Sequence, residues 1–312
     1  MSRHWRDING SLAKDRDKVR GEGAGRYRCV ADGMTMLTTI LLVLDGQSAD
    51  HGSVNLGLRW ASEFSAMLVG LGVIDERATH LHEPVPIGAG EAKRQLDAAR
   101  LHEQQVLIGN MLSAIAIRCA HGGVAFKPLE FVGSPAEEIA VEAQRFDLII
   151  MPRFLNAPDR HGHLGLSGAL QTLLRSAPRP IVAAPEHAVT GESIVVAYDG
   201  SLQAARTLHA LIATGLAIKH PVHVISVDAH PLEAARRGNR AIEFLAAHDI
   251  VATLSAKPSD EPAKQIMDLA AEVEAGLIVM GAYGKSRIRE FFLGSVTCTV
   301  LAECRLPLFL YH

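Results

Sequence analysis

Aromatic residues make up only 5% of the 312-residue chain, and only four residues are cysteine. Cys29, Cys119, Cys298 and Cys304 stand far apart, with five residues between the last two. No CxxC pair occurs, which argues against a disulfide framework and a zinc knuckle and suits a reducing cytosol. Long apolar runs are also missing. The longest, Phe64 to Ile74, contains Ser65 and two glycines, well short of the roughly 18 residues a membrane span needs. No membrane partner is expected. Neither sign of charge dominates: 31 basic and 34 acidic side chains give a formal charge of −3, so no broad basic field is available to hold nucleic acid.

What the chain does hold is aliphatic. The hydrophobic set reaches 48%, enough to fill layered sheet-and-helix cores and to exclude a disordered chain. At roughly 100–200 residues per domain, the length predicts two domains. The first 33 residues differ, with eight basic side chains against five acids, five glycines and almost no aliphatic pattern. They have no apolar core for a signal peptide and too many acids for a transit peptide. Residues 1–35 therefore read as a disordered arm, or as an over-extended start before Met34 or Met36, rather than as a binding tail.

Beyond the arm, one plan occurs twice. The run Thr39 to Asp45-Gly46 matches Ser193 to Asp199-Gly200, each a short aliphatic strand stopping at an Asp-Gly turn. A helical pattern follows each, Val54 to Ala66 and Leu202 to Leu216. Asp147 to Met151 then resembles Gly276 to Met280, and Arg179 to Ala184 resembles Leu306 to Tyr311. Asp45 and Met151 lie 106 residues apart, Asp199 and Met280 only 81. Most of that 25-residue excess falls in Glu91 to Arg118, which predicts a longer helix. Alternating strands and helices predict two tandem doubly wound α/β domains, at 36–186 and 192–312. Each is expected as a five-stranded parallel sheet with helices on both faces, a Rossmann-like plan. Ligands in such sheets sit beyond the carboxyl ends of the strands, where strand order reverses. The Asp-Gly turn after the first strand and the loop after the fourth are the places to look.

In the second copy that loop reads Gly281-Ala-Tyr-Gly284-Lys-Ser-Arg-Ile-Arg-Glu-Phe-Phe-Leu-Gly294-Ser295-Val296-Thr297. Its glycines let backbone approach an anion, and the following helix offers free N–H groups with a favourable dipole. Ser295 is expected to cap that helix and Thr297 to add a hydroxyl. Lys285, Arg287 and Arg289 lie in the same segment, either at phosphate or as a solvated loop. Neither GxxxxGK[ST] nor GxGxxG fits the spacing.

A strand ending in Gly-x2-Gly-x9-Gly-Ser, paired with Ala197-Tyr-Asp199-Gly200-Ser201 after the first strand, resembles the universal stress protein family. The likeness covers both copies and implies a tandem member with an adenine-nucleotide-hydrolase-like fold. Its nucleotide-binding branch holds ATP at this place. By that resemblance Ala197, Asp199 and Val227 would line the adenosine end. Gly281, Gly284, Gly294, Ser295, Val296 and Thr297 would surround ribose and phosphates, with Met280 just before them. Asp199 would either help place a magnesium ion with the nucleotide or simply close its turn. The alternative for the glycines is close packing in a branch that binds nothing. Single-domain relatives pair through their last strand, so Pro180–Ala184 and Leu306–Tyr311 are expected to join the halves as a pseudo-dimer. A further homodimer is left open, with no stripe to support it.

The first copy departs from the pattern. Aligned on Met151, Pro152 and Leu155 replace the first two glycines, Gly165 can stand at the third, and Leu166 replaces the serine. Aligned instead on Pro180 and Pro307, Gly168 stands opposite Ser295 and a two-residue insertion is implied. Proline donates no N–H, so this copy is expected not to bind ATP tightly and to serve mainly as a pairing partner. Fifteen histidines include His80-x-His82, His161-x-His163 and His220-x2-His223, none at a recognised ligand spacing, so no metal site is expected. No GxSxG or HExxH occurs, no general base can be nominated, and Cys298 reads as a small core residue. The expectation is a cytoplasmic, ATP-binding regulator of stress response. The alternatives are a ligand-free interaction protein of the same fold and a slow ATPase.

Overall fold

The computed structural model describes residues 37–44, 51–75, 90–153, 168–282 and 294–312. The amino-terminal arm lies outside them. Ten strands alternate with helices along the described chain. The first half carries β1 (Thr39–Leu44), α1 (Gly52–Phe64), β2 (Met67–Asp75), α2 (Gly90–His121) and β3 (Phe126–Gly133). It continues with α3 (Pro135–Glu142), β4 (Leu148–Pro152), α4 (Gly168–Ser176) and β5 (Ile181–Ala184). The second half carries β6 (Ser193–Ala197), α5 (Leu202–Thr214), α6 (Leu216–Lys219), β7 (Val222–Asp228), α7 (Pro231–Ala246) and β8 (Ala252–Pro258). It ends with α8 (Pro262–Glu272), β9 (Ala275–Gly281), α9 (Ser295–Glu303) and β10 (Leu308–Tyr311).

The strands form one sheet in the order β3-β2-β1-β4-β5-β10-β9-β6-β7-β8. Within each half the neighbours run parallel, as short strands joined by helical crossovers must. The halves meet where β5 pairs antiparallel with β10, Leu308 opposite Ala183, Phe309 opposite Val182 and Leu310 opposite Ile181. These are the segments that the family resemblance implies for that contact. The two expected five-stranded sheets are thus fused edge to edge, because each half leaves its fifth strand as an unpaired edge and the other half covers it.

Strand alternation sorts the core into two layers. Ile40, Leu42, Ile194, Val196, Leu277, Val279 and Phe309 face one side with Trp60, Ile115, Leu211 and Leu245 of α1, α2, α5 and α7. Leu41, Val43, Val195, Ile278, Met280, Leu308 and Leu310 face the other. There they meet Ile139, Leu173, Ile266, Leu269, Val300 and Leu301 of α3, α4, α8 and α9. Both faces of the central strands are buried, so they read as continuous aliphatic runs, and few aromatics are needed.

Helix α2 confirms the expected long helix and extends it to 32 residues. Its buried residues, Ile108, Met111, Leu112, Ile115 and Cys119, all lie in its second half, leaving the first half largely in solvent. Helices α4 and α9 each span nine residues, beginning at Gly168 and Ser295. Met151 and Ser176, the end of α4, lie 25 positions apart, whereas Met280 and Glu303, the end of α9, lie 23 apart. Of the two alignments of the degenerate loop, the helix ends therefore support the one with a two-residue insertion.

Candidate functional site

Between β9 and β6 the strand order reverses: β7 and β8 follow β6 in one direction, β10 follows β9 in the other. Neighbouring helices leave opposite faces of the sheet at such a point and a crevice opens above the strand ends. Ala197, the last residue of β6, stands beside Met280 of β9, and on its other side beside Ile225 of β7. Ala197, Val227, Met280 and Val296 belong to one apolar cluster on a single face of the sheet. Four positions spread over 100 residues of sequence are brought to the crevice by strand topology and by alternation. Met280 is buried, whereas Ala197, Val227 and Val296 stay half-buried at the rim.

The polar side of the crevice is built from the turn after β6 and the start of α9. After Ala197 the chain makes an Asx turn, the Ser201 amide donating to Asp199 Oδ1 at 2.9 Å. Gly200 takes φ +77°, and the stem of Arg237 from α7 lies against it, 3.3 Å from where a Cβ would stand. Ser201 caps α5, accepting from the Ala204 amide at 3.1 Å. Arg237 is held by Asp228 Oδ2, and Asp228 Oδ1 also accepts the His230 amide at 3.0 Å. That amide, aided by Arg237 and opposed by partial desolvation, pulls the Asp228 carboxyl below the usual range. Burial beside Asp199 raises the Tyr198 phenol, against a smaller opposite pull from Arg240. Arg237 was not apparent in the sequence as part of this turn. Its only local mark is the Glu233 spacing one helical turn earlier, which gives an ion pair at 3.7 Å.

The other part is the start of α9. Its N-cap is Gly294, at φ −57° and ψ 144°, with no side-chain capping bond. The expectation that Ser295 caps the helix is therefore corrected. Ser295 is the first helical residue, and its carbonyl accepts from Thr299 Oγ1 at 3.1 Å. A capping serine needs extended backbone, and here the glycine supplies it. The first helical bond runs from the Cys298 amide to Gly294 O at 2.9 Å. The amides of Ser295, Val296 and Thr297 precede it and have no intrahelical acceptor. Thr297 is buried, and its hydroxyl donates to Gly281 O at 3.2 Å, tying the helix start to the end of β9. Gly281 itself is required by packing: a Cβ there would stand 3.0 Å from the Ala204 amide and 3.1 Å from Gln203.

Gly284, Lys285, Arg287 and Arg289 lie outside the described residues, as do Asp45, Gly46, Leu155, Gly165 and Leu166. The same holds for His80, His82, His161 and His163. His223 is bonded to Thr253 Oγ1 and His220 faces Glu63 at 3.2 Å. Among the described residues no three His, Cys, Asp or Glu side chains gather as a metal set, and no helix is long and apolar enough to cross a membrane. Cys298 is half-buried on α9, not in the core as expected, and partial burial pushes its thiol up.

An open, mostly parallel sheet covered by helices on both faces, with a strand-order reversal between β9 and β6, defines a doubly wound α/β protein. Residues 192–312 match the family model described as the Universal stress protein family. Among curated proteins, a universal stress protein of Synechocystis sp. is 29% identical over 173 residues, covering 54% of this chain; the chain spans 58% of the length of that relative. A universal stress protein from Archaeoglobus fulgidus DSM 4304 superposes with a TM-score of 0.60 at 18% identity, over 88% of this chain and 97% of that one. A protein of unknown function from Pseudomonas aeruginosa PAO1 gives 0.57 at 19% identity, over 90% and 94%. These two likenesses establish the shared fold across both halves.

Proposed function

We propose that the second half binds an adenine nucleotide, ATP, in the reversal crevice and acts as a nucleotide-responsive regulator in the cytoplasm rather than as a high-turnover enzyme. One observation carries the reading. Ala197, Val227, Met280 and Val296 lie in one apolar cluster on a single face of the sheet, and Val296 belongs to the first turn of α9, whose three leading amides have no intrahelical acceptor. An apolar recess next to a helix N-terminus supplies the two chemistries a nucleotide needs, stacking surface and anion donors. Asp199 stands at the β6 end, where a carboxylate can accept from ribose hydroxyls or assist a magnesium ion on phosphate oxygens. Ser295, Val296 and Thr297 would meet the phosphates through backbone N–H groups, and Gly281 and Gly294 keep that approach free of side chains.

The first half, on this reading, is a second copy of the same domain that has lost the phosphate loop. Pro152 occupies the position of Gly281 and offers no amide. Among the described residues of the crevice, none stands out as a general base.

The test is nucleotide released by acid from freshly purified protein and separated by chromatography, followed by titration with MgATP. Bound adenine nucleotide, or saturable MgATP binding, is expected; neither would sink the proposal. Gly294→Asp is the informative variant. Its carboxylate would cap α9, stabilising the fold by about 1 kcal/mol. The same charge would stand where phosphate belongs, so ATP affinity should fall at least tenfold while the thermal midpoint holds or rises. Unchanged affinity would place the nucleotide elsewhere.

A further inference from the structure

Arg153, the residue after β4, is 5% exposed. Its Nη1 donates to Leu301 O at 3.0 Å and to Cys304 O, and its Nη2 donates to Leu306 O. All three acceptors belong to the other half of the molecule, in the last turn of α9 and the segment leading into β10. Among the described residues no carboxylate forms an ion pair with it. The cation is therefore neutralised by carbonyl dipoles at a helix C-terminus, the end that carries partial negative charge.

The two halves make the asymmetry explicit. Pro152 pairs with Ala184 as Gly281 pairs with Tyr311. The next residue donates its amide across the same ladder in both, Arg153 to Ala184 O and Ala282 to Tyr311 O, each at 2.9 Å. Arg153 and Ala282 are thus counterparts. Alanine cannot reach the other half, so the guanidinium contact runs one way only: the half without the glycines holds the helix of the half that has them.

We infer that Arg153 is a positioning residue by which the first half sets helix α9, and with it the amides of Ser295 to Thr297, for nucleotide binding. This rests on the ATP reading above. Helix α9 has nine residues, so it is marginal by itself and depends on its tethers. Thr297 ties its start to Gly281, and Arg153 ties its end across the β5–β10 seam. Losing the second tether leaves three carbonyls unpaired in a buried place, an expensive condition that the last turn relieves by fraying. Fraying in so short a helix moves its first turn as well, where the phosphates would sit. Three of the four base-wall residues, Ala197, Val227 and Met280, lie on the sheet and should not move, so the base would lose only its contact with Val296.

The experiment compares wild type with Arg153→Met and Arg153→Lys in the full chain. Two quantities are read: amide hydrogen exchange over residues 295–304, and affinity for MgATP against adenosine. Arg153→Met should speed exchange in α9 about tenfold or more and weaken MgATP by a similar factor, with adenosine affected less than about threefold. Arg153→Lys keeps the charge with fewer reachable donors and should fall between. It also serves as the working variant if Arg153→Met does not fold. Equal MgATP affinity in the folded variants overturns this inference and leaves the proposed function standing. Equal losses for MgATP and adenosine overturn it too, because they mark general destabilisation. A wild-type protein that takes up no MgATP overturns both readings at once.

Discussion

Single residues decide how each strand end is finished. Asp147 shows this away from the crevice: its Oδ2 accepts from the amides and hydroxyls of Thr38 and Thr39, at 2.7–3.0 Å. Partial burial pushes its carboxyl up, but the four bonds together outweigh that and hold it below the ordinary value. A carboxylate depressed in the folded state contributes stability that is complete above its unfolded pKa, about 4, and is lost as pH falls through the folded value. Asp147→Asn should therefore cost about 1–2 kcal/mol at pH 7. The difference from wild type should shrink as pH drops below about 4. Urea titrations at pH 7 and pH 3 would show it, and a cost independent of pH would contradict the role given to the charge. Gly281 and Gly294 make a second residue-scale point. Both belong to one glycine pattern in the sequence, yet the structure gives them different duties. The first admits the start of α5 against β9; the second leaves α9 without a cap of its own.

At the scale of elements, the repeat was legible because alternating aliphatic runs and helical stretches leave a periodic trace. Strand β1 over Thr39–Leu44 and strand β6 from Ser193 emerge as read, and the long polar insertion becomes α2. Boundaries drift by one or two residues where helices begin or end, at Gly52 and Ser295 for example, since caps are set by backbone angles that composition does not encode. Helix α2 carries a prediction of its own. Its core residues lie in the second half, and Leu101 packs against the core from the first, so the turns over residues 91–100 are held mainly by helix propensity and local pairs such as Arg94 with Glu91. Their amides should exchange at least about a hundredfold faster than those of 108–119. Uniform protection along the helix would instead point to a covering partner on its exposed turns.

For the molecule as a whole, the seam between β5 and β10 matters most. It converts two five-stranded units into one ten-stranded sheet, and it places Phe309, fully buried, in the same core layer as Val182 and Ala184. Phe309→Ala should cost about 3–5 kcal/mol. Trp60, buried in the first half against that layer, should report the loss although the substitution lies in the second half. In a Trp5→Phe background, denaturant unfolding followed by Trp60 fluorescence should move to lower denaturant together with the circular dichroism transition. A Trp60 midpoint that stays in place would mean that the halves unfold independently.

The sequence by itself determined the order of strands and helices, the twofold plan and the Asp199-Gly200 turn that stops β6. It could do so because secondary structure is written in short-range periodicity, and because an Asp-Gly turn or a glycine-rich loop is a local signal. Its sparse aromatics and absent apolar runs already pointed to aliphatic strands covered on both sides. Only the tertiary structure decided that the two sheets are one, that Gly294 rather than Ser295 is the N-cap of α9, and that Arg237 backs the Asp-Gly turn. It alone showed Arg153 crossing from the half without the glycines to the helix of the half with them. Those contacts join residues tens to 150 positions apart, and a guanidinium meeting backbone carbonyls leaves no complementary side chain in the sequence to announce it.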